Sequence, residues 1–318
     1  MSKKVIFLGT ADFSKTVLQG IIDDNDLKVM AVVSQPDRVL GRKKQLIQTP
    51  VKQLAIENNL PIYQPEKLSG STEMNELIAL KADFIITAAY GQFLPTKFLD
   101  SAQIASINVH ASLLPKYRGA APINWAIING DTKTGISIMY MVKEMDAGDV
   151  ISTAEVEILE SDTAGDLFEK LAPVGTNLLL KTIPKLANDE IKAIKQDEDN
   201  ISLAPKIDNN LLKLDFYSQT AKQIYNLIRG LSPQYVPFIY INREKIKIIS
   251  VSILEQSMDF HPGQFIYLDN STIGIVAKDN YILKINELQL IGKKPIDAKS
   301  FINGYKAKFA SGEFLDRL

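Results

Sequence analysis

Apolar positions follow two rhythms along this chain. Val5 to Leu8 is a short unbroken apolar run that enters Gly9-Thr10-Ala11-Asp12. Val17, Leu18, Ile21 and Ile22 then recur at helical spacing, and Val29 to Val33 is apolar again. This predicts strand, helix and strand, the opening of an α/β nucleotide-binding-like unit. Thr49-Pro50 supplies an N-cap followed by a proline suited to the first helical position, and Val51, Leu54 and Ala55 give that helix its apolar face. A short strand at Pro61 to Tyr63 and a helix at Glu73 to Leu80 follow. Phe84 to Ala88 is nearly all apolar, as expected of a strand covered on both faces. Ser106 to His110 reads as the next strand and Pro122 to Asn129 as a helix. Gly135 to Met141 and Val150 to Ile158 alternate, which predicts a hairpin at the sheet edge. Thr163 with Asp166 forms a capping-box pattern ahead of Leu167, Phe168, Leu171 and Val174. Pro173 is expected to kink or interrupt that helix before the pattern resumes to about Ala187.

From about Asn188 to Lys206 the chain is polar and reads as an interdomain linker with a short strand in it. Beyond it, Thr220 to Arg229 looks helical and short β-like runs take over at Phe238–Ile241, Lys245–Val251, Gly263–Tyr267, Thr272–Ala277 and Tyr281–Leu290. Five such strands with a helix suggest a small, OB-like β-barrel. The expected class is α/β: a Rossmann-like, mostly parallel sheet over residues 1–189, a linker over 190–206 and a C-terminal barrel over 207–318.

Composition changes this picture little. The 318 residues are 46% hydrophobic and 23% charged, with a net charge of −1, so no global attraction to nucleic acid or membrane is announced. The part from Ile207 onward carries 14 basic and 11 acidic residues, a mild asymmetry. There is no cysteine, which rules out disulfides, thiolate nucleophiles and Cys-ligated metals. With His110 and His261 the only histidines, a multi-His metal centre is not expected. The apolar run after Met1-Ser2-Lys3-Lys4 is too short for a signal-peptide core.

Candidate chemistry gathers between Ser106 and Val150. Asn108 and His110 lie two positions apart in a strand, so their side chains share a face. Asp146 follows in a glycine-containing turn, where a carboxylate that folds back could orient the imidazole and stabilise its protonated form. Two loops are also of interest. Gln35 to Gln45 holds Arg38, Arg42, Lys43 and Lys44 around Pro36 and Gly41; it reads either as solvated surface or as a phosphate- or base-contacting loop. Tyr90-Gly91-Gln92-Phe93-Leu94-Pro95 follows a strand's carboxyl end, where α/β sheets place ligands; it reads either as the wall of a pocket for a flat aromatic ligand or as a plain turn with Phe93 and Leu94 buried. Only one glycine of a dinucleotide fingerprint, Gly9, is present, so NAD binding is not expected.

Asn108-Val-His-Ala-Ser-Leu-Leu-Pro-Lys-Tyr-Arg-Gly119, with Met145-Asp-Ala-Gly-Asp149 downstream, resembles the 10-formyltetrahydrofolate-dependent formyltransferases. The basic loop, Gly119-Ala-Ala-Pro122 and the barrel-like second half resemble those members that formylate methionyl-tRNA. Arg229-Gly-Leu-Ser-Pro233 matches too, while a tryptophan common in the family near Asp215 is Phe216 here, a change expected to touch packing rather than chemistry. The core motif is shared with formyltransferases acting on glycinamide ribonucleotide or amino sugar nucleotides, so it speaks to the chemistry more than to the acceptor. The resemblance implies Asn108, His110 and Asp146 as a catalytic trio, and Ser112, Leu113, Leu114, Pro115 and the loop Tyr90, Gly91, Gln92, Phe93, Leu94 as the folate site. It points Arg38, Arg42, Lys43 and Lys44 at the tRNA acceptor end. The implied formyl donor is 10-formyltetrahydrofolate, the acceptor is initiator methionyl-tRNA, no metal is required, and a cytoplasmic monomer is expected. A formyltransferase for a small amine and a non-catalytic RNA-binding protein are the competing readings.

Overall fold

The computed structural model describes residues 2–40, 45–256 and 259–317. The described chain divides into two compact units. One comprises residues up to Pro122, Lys133–Glu157 and Phe168–Pro205; the other comprises Ile123–Thr132, Ile158–Leu167 and Lys206 onward.

The first unit opens with β1 (Lys3–Gly9), α1 (Asp12–Asp23) and β2 (Leu27–Val33). Arg38–Leu40 (β3) and Gln45–Ile47 (β4) pair antiparallel. The basic segment is thus not a plain loop: its flanks form a two-stranded ladder that exposes Val39 and Leu46, with Arg42, Lys43 and Lys44 outside the described residues. Next come α2 (Pro50–Glu57), β5 (Ile62–Tyr63), α3 (Thr72–Ala79), β6 (Phe84–Ala88), α4 (Thr96–Leu99) and β7 (Ala105–His110). The Thr49 hydroxyl caps α2 by accepting from the Lys52 amide at 3.1 Å. After β8 (Arg118–Gly119) comes α5 (Pro122–Ile128), which belongs to the second unit from Ile123 on; back in the first, β9 (Lys133–Tyr140) and β10 (Val150–Glu157) form the expected edge hairpin.

The main sheet has the order β10-β9-β7-β6-β1-β2-β5. β7 through β5 pair in parallel, and β9 and β10 are antiparallel. The five residues of β6 are all buried, which accounts for its lack of alternation. Helix α6 (Ala164–Ala187) runs through Pro173 and Pro184 without a break. Each proline removes one amide donor, but burial of Leu171, Leu179 and Ile183 holds the helix. Gly175 lets it approach β7, because a Cβ there would lie 3.1 Å from Val109 Cγ1. Helix α6 therefore covers the Val109 side of β7, and Asn108 and His110 belong to the opposite face.

Residues 190–205, expected as a linker, pack into this first unit. Ile194 bridges Val150 through two backbone hydrogen bonds of 2.8 Å, and Leu203–Ala204 (β11) pairs in parallel with β8. The segment's polar composition concealed this because its docking uses hydrogen bonds rather than an apolar stripe.

The second unit carries α7 (Ala221–Leu231), begun by a capping box of Thr220 and Gln223. Its strands are β12 (Phe238–Ile241), β13 (Glu244–Gln256), β14 (Gln264–Tyr267), β15 (Ile273–Val276), β16 (Tyr281–Leu290), β17 (Ile296–Asp297) and, beyond α8 (Ala298–Tyr305), β18 (Glu313–Phe314). All pair antiparallel in the order β12-β13-β16-β15-β14-β18, with β17 on β16, giving a nearly closed barrel. Helix α8 is missing from the sequence reading. It has only Ala298, Phe301 and Ile302 as an apolar face and is started by Asp297, whose carboxylate accepts from Ser300 N at 2.7 Å. Phe216 is fully buried, in keeping with a packing role.

Candidate active site

The parallel register sets Thr87 of β6 beside Asn108 of β7. The buried Thr87 hydroxyl donates to Asn108 Oδ1 at 2.8 Å. That leaves Asn108 Nδ2 facing Asp146 Oδ1 at 3.5 Å. The reverse orientation would oppose the amide oxygen to a carboxylate, so the amide is held one way round.

His110 is buried, and its Nε2 lies 2.9 Å from the Tyr117 carbonyl. A carbonyl can only accept, so Nε2 carries the proton and the neutral ring keeps its lone pair on Nδ1. Nδ1 lies 3.7 Å from Asp146 Oδ2. The same carboxylate oxygen accepts from the Gly119 amide at 2.8 Å. The three expected residues therefore converge, and Asp146 has a donor aimed at each oxygen. Asp146 itself has φ of +51°, a left-handed conformation that short polar residues tolerate better than most.

The turn after β7 is pinned from β9. Ser137 donates to the Ser112 carbonyl at 2.7 Å and accepts from the Leu114 amide at 3.0 Å. This turn, with a cis Leu114–Pro115 bond, delivers the Tyr117 carbonyl to His110. Thr87, Ser137 and the two backbone partners, Tyr117 O and Gly119 N–H, were not found from the sequence. A lone threonine in Phe-Ile-Ile-Thr-Ala was a usable signal for the first; backbone groups leave none.

The expected folate residues divide. Ser112 has no exposed surface, and its hydroxyl donates to the Lys116 carbonyl at 2.6 Å, so its side chain supports the turn instead of touching a ligand. Gln92 uses its amide inside its own neighbourhood, accepting from Leu68 N and donating to the carbonyls of Pro65 and Glu66. Tyr90, Leu94 and Leu114 are buried, Leu113 and Pro115 are half-buried, and Gly91 adopts φ of +84°. Phe93, expected to be buried if this segment were a plain turn, is 61% exposed. Val142 and Met145 in the Asp146 loop are exposed as well. Uncovered apolar side chains on both loops suit a flat aromatic ligand. Burial pushes the Tyr90 phenol up to about 12. Arg38 is exposed on β3, near Asp37, whose carboxyl is held below its ordinary value by the Gln64 amide and the Lys52 ammonium. Among the described residues no cluster of His, Cys, Asp or Glu could hold a metal, and no helix is long and apolar enough to cross a membrane.

The family profile described as "Formyl transferase" matches residues 3–183, and "Formyl transferase, C-terminal domain" matches 206–306. The chain belongs to the formyl transferase family. Its full-length relatives in this formyl transferase family include the methionyl-tRNA formyltransferase of Streptococcus agalactiae, 46% identical over 310 residues and 98% of each chain. That of Pediococcus pentosaceus is 43% identical over 302 residues, covering 95% of this chain and 94% of the other. Among solved formyl transferase structures, the N-formyltransferase from Helicobacter canadensis in complex with folinic acid and dTDP-3-aminofucose shares the fold, with a TM-score of 0.67 and 21% identity over 90% of this chain and 99% of that one.

Proposed function

We propose that this chain transfers the formyl group of 10-formyltetrahydrofolate to the α-amino group of initiator methionyl-tRNA, supplying N-formylmethionyl-tRNA for translation initiation. The observation that carries the reading is the meeting of Asn108, His110 and Asp146 on one sheet face, within a chain whose relatives of the same length bear that activity. The amine nitrogen bonds to the formyl carbon, the bond from that carbon to N10 breaks, and one proton must pass from the amine to N10. Asn108 Nδ2 has one hydrogen toward Asp146 and a second to offer the oxyanion, a donor worth roughly 3–4 kcal/mol in comparable sites. His110 Nδ1 takes up or returns the travelling proton, and Asp146 stabilises the ring while it is charged. The attacking amine must be neutral, and a free α-amino group titrates near 8 (about 7.7–8.0), so turnover should rise from neutral to mildly alkaline pH.

Phe93, Val142 and Met145, together with the turn Leu113–Pro115, would line the folate site. Arg38, Arg42, Lys43 and Lys44 would hold the acceptor end of the tRNA by phosphate contacts. The expected setting is a monomer working in the cytoplasm on charged tRNA. The test is formyl transfer from 10-formyltetrahydrofolate to methionyl-initiator tRNA, run beside amino sugar nucleotides. Product with the small amines alone would overturn the acceptor assignment.

A further inference from the structure

The geometry points to Gln196 as a positioning residue for Asp146, so that the stretch between the two sequence-matched regions is part of the catalytic apparatus. This rests on the formyl-transfer reading above. Gln196 is 6% exposed and every polar atom of its amide is used. Nε2 donates to the Asp146 carbonyl at 2.8 Å and to the Gly148 carbonyl at 2.7 Å. Oε1 accepts from Arg118 Nε at 2.9 Å. Two carbonyls on one side and a guanidinium on the other permit only this orientation.

These contacts lie on the two segments that hold the Asp146 carboxylate. The first is the Asp146 loop, which turns at φ of +51° and is kept tight at Gly148, where a Cβ would collide with the Tyr140 carbonyl. A backbone in that region persists only where its surroundings over-determine it. The second is Arg118-Gly119, whose Gly119 amide binds Asp146 Oδ2 and which is paired to Leu203–Ala204. Gln196 joins the two segments directly. Without its amide two carbonyls lose their donor, the turn relaxes, and the carboxylate drifts from His110 Nδ1. Among the described residues Gln196 has no hydrogen bond to the imidazole or to Asn108, so its effect on turnover passes through Asp146.

A double-mutant cycle on single-turnover formyl transfer tests this. Gln196→Met keeps the length and removes the hydrogen bonds. It should lower the rate about tenfold in the parent background, and less than about twofold when Asp146 is already Asn. The KM for methionyl-tRNA should stay within about twofold of the parent, and because the orphaned polar groups should lower stability by about 1–3 kcal/mol, the rates are compared well below the variant's thermal midpoint. Gln196→Glu, equal in size and still paired with Arg118, provides the same cycle if the methionine variant folds poorly. Equal fold losses in both backgrounds, or a single variant with parental turnover, overturn the assignment. A parent protein that transfers no formyl group sinks the functional reading instead, so the two failures are distinct.

Discussion

Replacing Asp146 with asparagine tests the site most directly, because it changes charge and hydrogen bonding but not shape. The carboxylate presents one oxygen to Gly119 N–H and the other to Asn108 Nδ2. Either orientation of a new amide would set one NH2 group against a donor. The charge matters more. With the imidazolium Nδ1 at 3.7 Å from Oδ2 and both side chains largely buried, Coulomb's law at an effective dielectric constant of 20 gives about 4 kcal/mol. Only the part that grows as the ring takes up its proton lowers the barrier. All of it would be about a thousandfold in kcat at about 1.4 kcal/mol per decade, and a third of it about tenfold. Steady-state formylation of methionyl-tRNA at saturating folate is the assay, with thermal denaturation as a control for folding. A folded Asp146→Asn enzyme with kcat within about fivefold of the parent refutes the charge argument.

Thr87→Val keeps the shape but frees the Asn108 amide to turn, and should cost about tenfold in kcat with the folate KM unchanged; parental kcat would show that the amide needs no such support. Ser137→Ala orphans the buried Leu114 amide and should destabilise the fold by about 1–3 kcal/mol in urea unfolding, so an unchanged midpoint would contradict it. The Tyr90 hydroxyl is buried with no hydrogen-bond partner among the described residues, so Tyr90→Phe should leave stability equal or improved at neutral pH. The same phenol, raised to about 12, stays protonated in the folded protein while the unfolded chain ionises near its ordinary value of 10.0. Its contribution to stability is therefore present below that value and lost as pH climbs toward the folded one; the phenylalanine variant should show a shallower alkaline decline, and superimposable stability curves would count against the burial.

The sheet strands, most helices and the shared face of Asn108 and His110 were legible in the sequence because each depends on near neighbours, whereas Asp146, 38 positions from Asn108, was pointed to by its glycine-containing turn and by the family resemblance. Apolar periodicity over a few residues settles whether a segment is helix or strand, and the spacing of Asn108 and His110 puts them on one face of any strand. The barrel strands Phe238–Ile241 and Tyr281–Leu290 coincide with their predicted spans for the same reason. Helix α8 lacked enough periodicity to stand out. The unbroken course of α6 through Pro173 depended on burial that local rules do not see. Tertiary structure alone decided how the site is held. Thr87 reaches Asn108 through strand register, the Tyr117 carbonyl fixes which nitrogen of His110 carries the proton, and Gln196 arrives from a stretch whose polarity suggested an interdomain linker with a short strand. Hydrogen bonds between residues far apart in the chain have no repeat for a sequence to display. They become visible once the backbone brings a lone donor and a lone acceptor together away from water.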